Sequence, residues 1–400
     1  MRFYLGDRMQ ILSKTLIQVG VFVTAFALAL PNLHAQGTGS LPTGHYVVTN
    51  NDIYRAPNNA ALFKFNGSTL ELDDVKSLGT GGWGLGGGEF GTTQQAFAEV
   101  GTNLCVFVSD PGSDDIGAFN FETRVGRYSA VTGSGAYSGI SLATHGTTLY
   151  AAYSASVNIG VWTINSDCSL TLANAPLNTP TRAPVNGMAV APNGDTLVVS
   201  YAKQKVDSFA ISGTTLTEKG PFNSVGYTAG VDITKDSKYA IIGDFSDNAT
   251  EVEVFPILSD SALGASDNYN VASGGSDSNN IWLSPDETLL YVSNNVSLQI
   301  TTLLFDEHAA AGERLTFGCI TPPLNNPSGG TLYNTGGMAT ESAFGTGAYL
   351  YVAESGDPSA VALLNSPKGG CPLTEVPGSP FVNSTGQWAV TVSAYPPRPF

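Results

Sequence analysis

The sequence predicts an all-β protein, a seven-bladed β-propeller of four-stranded antiparallel blades whose ring is closed by a C-terminal strand completing blade one. Three observations predict it. A unit of apolar run, tight turn and second apolar run recurs seven times along the chain at the spacing of one blade. The composition is rich in turn formers and poor in charge, with 46 Gly, 22 Pro and 12% charged residues, which suits short apolar strands and neither long helices nor disorder. The first copy of the unit lacks an inner strand, while the last 15 residues carry a spare one, "WAVTVSAY" (388 to 395).

The N-terminus is set aside first. Arg2, Arg8 and Lys14 precede an uncharged run from Thr15 to Leu30, and Ala35 offers a small residue for cleavage. At 16 residues the run is short for a bilayer span of about 20. Residues 1–35 therefore read as a signal peptide, residues 36–400 as a single propeller domain, and the protein as secreted or periplasmic, with no membrane span once the signal is removed. Residues 36–400 hold 14 basic and 32 acidic side chains, a net charge of −18, which argues against nucleic acid because phosphate binding needs clustered positive charge.

The repeat is clearest in "LSPDETLLYVSNN" (283 to 295) and returns as "VAPNGDTLVVSYA" (190 to 202), "LATHGTTLYAAYS" (142 to 154), "ITKDSKYAIIGDF" (233 to 245) and "AEVGTNLCVFVSD" (98 to 110). A weaker copy is "TESAFGTGAYLYVAES" (340 to 355), and "GHYVVTNND" (44 to 52) supplies the second half only. Each second run is apolar on both faces, as a strand buried between neighbouring blades must be. A third run, such as "VDSFAI" (206 to 211), alternates in part, and a fourth, such as "TTLTEKG" (214 to 220), is polar and belongs at the rim. Placing 388 to 395 in blade one pairs the two chain ends in one sheet and removes an open edge.

Four cysteines, Cys105, Cys168, Cys319 and Cys371, are too far apart for CxxC metal or redox motifs. An oxidising compartment permits disulfides. Cys319 with Cys371 is the preferred pair; sequence alone allows three connectivities, and one or two of the four remaining as buried thiols stays open.

The segments "YVVTN" (46 to 50), "SPDETLLYVSNN" and "LTEVPGSPF" (373 to 381) resemble the repeat of the YVTN-type, lactonase-like seven-bladed propellers, a family that includes bacterial 6-phosphogluconolactonase-like proteins. The resemblance spans nearly all of residues 36–400 and implies the fold, with hydrolysis of a sugar-acid lactone as the family's activity. It also implies polar and charged residues, histidine among them, where the inner strands begin. Those positions hold Gln94, Gln95, Ser138, Asn186, Ala229, Asn279, Asn280, Gly336 and Gln387, an amide-rich ring that cannot serve as a general base.

In a propeller, the loops joining strand four to the next strand one, and strand two to strand three, open on one face around the channel, the usual ligand mouth. His45, His145 and His308 all map to the opposite face. The mouth loops carry Asp110, Asp114, Asp115, Asp244, Asp247, Glu354 and Asp357, with Asn50, Asn51, Asp52, Asn294 and Asn295. Their oxygens suit Ca²⁺, so Asp110, Asp244, Asp247 and Glu354 are candidate metal ligands, although no EF-hand pattern occurs and no cofactor is required. Arg182, Lys203 and Lys205 of blade four, beside Asn186, could hold a carboxylate or sugar acid. Gln95, Ser138, Asn280 and Gln387 complete the candidate ligand set. Asp232, inside the inner strand "GVDI", is read as a structural anchor or a base, with Asp244 the other candidate catalytic acid. "GTGGWGLGGGEFG" (79 to 91) lacks a following Lys-Ser/Thr and reads as a flexible mouth loop on which Trp83 and Phe90 could cover a ligand.

The function these features support is an exported, monomeric binding or interaction module with an amide-lined, acid-rimmed mouth. Its partner would be a small molecule such as a sugar acid or lactone, or another exported protein. A lactonase-type hydrolase is the alternative, and a calcium-dependent binding protein a further one.

Overall fold

The computed structural model describes residues 41–42, 44–52, 56–67, 69–72, 78–85, 94–123, 126–129, 140–154, 156–179, 181, 183–245, 251–270, 278–295, 297–325, 334–340, 348–355, 359–367, 370–382 and 391–396. All belong to the compact unit Gly39–Phe400; the signal reading of residues 1–35 lies outside them.

The described residues form seven antiparallel sheets. From the inside outward, blade 1 holds Val392–Tyr395, His45–Asn50, Pro57–Phe65, and an outer pair Leu70–Leu72 and Leu78–Trp83. Blade 2 holds Gln95–Val100, Asn103–Asp110, Asp115–Asn120 and Gly126–Ser129. Blade 3 holds Ile140–His145, Thr148–Tyr153, Asn158–Ile164, then Leu170–Leu172 and Leu177–Asn178. Blade 4 holds Val185–Val190, Thr196–Tyr201, Lys205–Ser212, then Thr215–Glu218 and Phe222–Asn223. Blade 5 holds Tyr227–Ile233, Tyr239–Phe245, Glu251–Pro256 and Asp267–Asn270, and blade 6 holds Ser278–Leu283, Leu289–Asn294, Gln299–Phe305 and Leu315–Ile320. Blade 7 holds Asn334–Thr340, Ala348–Ser355, Ala360–Ser366, then Thr374–Glu375 and Phe381–Val382.

The ring closes as the sequence predicts. Tyr46 pairs with Tyr395 and Thr49 with Val392, so the last strand is hydrogen-bonded to the first. Each inner strand lies against that of the next blade, from Val392–Tyr395 round to Asn334–Thr340 and back.

The doubly apolar second strands explain the packing. Seven apolar clusters fill the seven seams between blades, one per seam. Within one strand, successive residues serve opposite seams: Ala240 and Ile242 face blade 4, while Ile241 faces blade 6. That division follows from the two-residue period of a strand.

Two features depart from the expected pattern. The outermost position is split into two short segments in blades 1, 3, 4 and 7. In blades 3, 4 and 7 the break contains Pro176, Pro221, and Pro377 with Pro380, and proline cannot donate to a ladder. Second, the start of the glycine-rich stretch is a strand and not a loop, since Leu78–Trp83 pairs with Pro57–Phe65. Glycine is required there: a Cβ on Gly82 would collide with Asp115, Ser113 and Asp110. Residues 86–91, with Phe90, lie outside the described residues.

All four cysteines are oxidised. Cys319–Cys371 is the expected pair, and Cys105–Cys168 is the second. Each bond joins neighbouring blades, 6 to 7 and 2 to 3.

Candidate functional site

The mouth is built by the second-to-third-strand turns and by the connectors that lead from one blade's outer strand to the next inner strand. His45 begins a second strand, His145 ends an inner strand and His308 follows a third strand. All three therefore sit on the opposite face. Exposed His145 lies 3.1 Å from the Pro192 carbonyl oxygen, a bond from blade 3 to blade 4.

The amides at the head of the inner strands tie blades together. Gln95 Nε2 donates to the Thr391 carbonyl at 2.6 Å, and Thr391 Oγ1 donates back to Gln95 Oε1 at 2.5 Å. The neighbouring Gln94 Oε1 accepts from Asn50 Nδ2 at 2.8 Å. Half-buried Asn186 donates to the Thr228 carbonyl of blade 5 at 2.6 Å. Asn280 is buried, its backbone N–H donating to Ser293 Oγ. Ser138, Arg182 and Gln387 lie outside the described residues, so these candidates are not brought together into one described group.

Asp232 is also a tie between blades. Its Oδ2 accepts from the Leu283 N–H of blade 6, and its Oδ1 from the Ile233 N–H, both at 2.8 Å. A carboxylate holding two buried backbone donors is the anchor that a strand-interior acid requires.

The acids expected around the rim are placed beneath it. Asp110, Asp244 and Glu354 are at or near the ends of second strands and are buried. Their side chains continue the alternation of apolar neighbours: Leu104, Val106 and Val108 lead to Asp110 against blade 1, and Ala240 and Ile242 lead to Asp244 against blade 4. Asp247 and Asp357 lie outside the described residues.

A recurrent arrangement then emerges that the sequence did not suggest. A hydroxyl on the outer strand or the connector of one blade reaches down to a buried acid of the following blade. Thr80 donates to Asp110 Oδ1 at 2.5 Å, alongside Asn58 Nδ2 at 2.8 Å. Thr181 Oγ1 lies 3.0 and 3.1 Å from the two oxygens of Asp207. Ser224 Oγ lies 3.1 Å from both Asp244 Oδ1 and Glu253 Oε1, and the next residue, Val225, donates its N–H to Glu253. These acids pin connectors in place.

Their protonation follows their surroundings. Burial holds the Asp110 carboxyl well above the ordinary range, against the hydrogen bonds from Thr80 and Asn58 and with the like charge of Asp115 adding to the rise. Burial also raises Asp207, opposed by hydrogen bonds from Tyr201 and Thr181. Glu354 is pushed up to about 9, by burial first and by the charge of Glu375 second. It carries its proton at neutral pH. Among the described residues no group of three or more His, Cys, Asp or Glu side chains could hold a metal ion.

What the mouth exposes is different chemistry. In the connector between blades 4 and 5, Val225 is 46% and Tyr227 53% exposed. Beside them is the exposed turn carrying Lys203, because the Thr228 N–H donates to the Lys203 carbonyl at 3.2 Å and Gln204 Nε2 to the Val225 carbonyl at 3.0 Å. Thr228 Oγ1 lies 2.8, 3.4 and 3.0 Å from the carbonyl oxygens of Tyr201, Lys203 and Lys205. Lys205 Nζ donates to Asn223 Oδ1. Elsewhere at the mouth, Trp83 closes the outer strand of blade 1 and is 51% exposed. Of these two exposed aromatic residues the sequence singles out Trp83 alone, as a loop aromatic; Tyr227 is the first residue of the inner strand Tyr227–Ile233.

No protein-family model matches the chain, and no curated protein matches it in sequence. Solved structures do match in fold. A candidate 6-phosphogluconolactonase from Bacteroides fragilis NCTC 9343 is 18% identical with a TM-score of 0.64, over 88% of this chain and 98% of that one. The periplasmic gluconolactonase PpgL of Pseudomonas aeruginosa is 15% identical with a TM-score of 0.61, over 86% and 97%. A hypothetical selenium-binding protein from Sulfolobus tokodaii reaches 0.63 at 10% identity, over 88% and 93%. The likeness is one of fold. Lactonase-like propellers, whose repeat the sequence resembles, are among the neighbours, and so is a protein with a different description.

Proposed function

We propose that the protein is an extracytoplasmic binding propeller that holds a small anionic molecule of the sugar-acid class at the seam of blades 4 and 5. The observation that carries this reading is the exposed patch of Tyr227, Val225 and Lys203. It is fixed by Thr228, while the acids at the strand ends beneath the mouth are buried. An aromatic face suits the apolar side of a sugar ring, and an ammonium suits its carboxylate. Thr228 holds the lysine turn in one geometry, which lowers the ordering cost of binding. Two disulfides support an oxidising address, in keeping with export. No helix among the described residues is long and apolar enough to cross a membrane.

Titration calorimetry of residues 36–400 against gluconate and galacturonate tests the reading. Binding is expected to weaken tenfold or more in Lys203→Glu and in Tyr227→Ala. Binding unchanged in both variants, or no heat from any sugar acid, sinks it.

The second reading is a lactonase-type hydrolase, supported by the fold likeness to PpgL. It needs an accessible, ionised base at the mouth, whereas Asp110 and Glu354 are buried, with burial opposing their ionisation, and Asp232 is engaged with backbone N–H groups. Turnover of an aldonolactone above the spontaneous rate, abolished by Asp232→Asn or Asp244→Asn, would favour it over binding alone.

A further inference from the structure

Glu354 has no place in the binding reading, and its surroundings are unusual for a carboxyl group. It is 1% exposed, and among the described residues neither Oε1 nor Oε2 has a hydrogen-bond partner. Leu350 and Val352, on the same face of the same strand, pack with Leu289, Tyr291, Ile300 and Leu324 of blade 6. Glu354 therefore ends, on the mouth side, a strand face that is apolar at Leu350 and Val352. At the seam of blades 1 and 2 the corresponding acid, Asp110, is met by the Asn58 amide and the Thr80 hydroxyl; Glu354 is met by neither kind of donor. An ionised carboxylate in such a place costs several kcal/mol, so ionisation must admit water or part the blades.

We propose that Glu354 makes the mouth end of the blade 6–7 seam a proton-held latch, closed while the carboxyl keeps its proton and opening as the proton is lost. The described groups bearing on it are few. Glu375, on the outer strand of blade 7, adds a like charge that opposes ionisation. From blade 6, the only titratable member of the packed face among the described residues is Tyr291, whose hydroxyl donates to Ser366 Oγ at 2.7 Å and is pushed up to about 12 by burial. Tyr291 is neutral throughout the range in which the latch works. The Cys319–Cys371 bond spans the same two blades, so the opening is local and the blades stay tethered.

The sign follows from linkage. The closed state binds the proton more tightly, near pH 9 against 4.5 for an open side chain, so closure is complete at low pH and is lost as pH rises between those values.

Hydrogen exchange of the intact protein from pH 5 to 9, corrected for intrinsic rates, tests this in residues 289–300 and 348–355. Protection there is expected to fall roughly tenfold per pH unit, while the blade 2–3 seam stays level. Glu354→Gln, a neutral isostere, is expected to remove the slope. Glu354→Met serves if the amide impairs folding. Protection independent of pH in the wild type, the same slope in both variants, or an equal fall at every seam would overturn the proposal.

Discussion

Ending the chain at residue 390 removes the inner strand of blade 1 and is expected to abolish the cooperative fold, although it deletes only ten residues of 400. The magnitude can be built from the structure. Val392 and Tyr395 are buried, and their return to water costs about 5 kcal/mol together, with Ala394 adding about 1 kcal/mol. The ladder from Tyr46–Tyr395 to Thr49–Val392 is lost, at about 1 kcal/mol for each of roughly four hydrogen bonds. Thr391 also leaves, so the buried Gln95 side chain loses its hydrogen bonds to the Thr391 carbonyl and hydroxyl. The total of about 10 kcal/mol is comparable with the whole stability of a domain, about 5–15 kcal/mol. Urea unfolding of residues 36–390 and 36–400, followed by tryptophan fluorescence and circular dichroism, measures it. A truncated protein that keeps a single transition of unchanged slope and loses less than about 2 kcal/mol would refute the argument that closure carries the fold.

Other consequences are more local. Replacing Cys105 and Cys168 by serine opens a loop of 63 residues and is expected to cost about 4 kcal/mol on chain entropy, read as a fall in the denaturation midpoint. Asp232→Ala strands the N–H groups of Leu283 and Ile233 and should cost about 2–4 kcal/mol, whereas Asp232→Asn, which keeps an acceptor, should cost less; equal losses would count against the anchor role. Ser224→Ala removes the hydroxyl set against Asp244 and Glu253. Its expected result is about 1–3 kcal/mol of lost stability and weaker sugar-acid binding, since the Val225–Tyr227 connector loses a tie.

The blade repeat was legible because a strand buried on both faces has little choice but to be continuously apolar. Closure was legible because a half-blade at one end and a spare strand at the other have only each other as partners. The far-face histidines followed from the same bookkeeping of turns. The buried acids were assigned to loops because they stand where a strand meets its turn. Counting by twos from Val108 would have put Asp110 on the seam face. The split outer strands were hidden for another reason: a two- or three-residue strand has too few positions for any period to show. The glycine strand was masked by its composition, since Gly82 serves the closeness of Asp115 and Ser113 and carries no side-chain pattern of its own. Which residues meet at the mouth depends on long-range geometry. The contact of Thr228 with the Lys203 turn, across a blade boundary, has no local signature at all.

The proline-broken rim also bears on how copies of this molecule treat one another. A sheet's outermost strand offers unpaired backbone groups to any passing chain, and long flat edges invite stacking into fibres. In blades 3, 4 and 7 the edge comes in fragments of two to four residues, too short to template a partner. Blade 6 differs from these: Leu315–Ile320 runs six residues, as Leu78–Trp83 does in blade 1, and it carries an exposed Phe317. If crowded solutions of the protein ever assemble laterally, that edge is where growth begins, and a lysine in place of Phe317 is the change that would stop it.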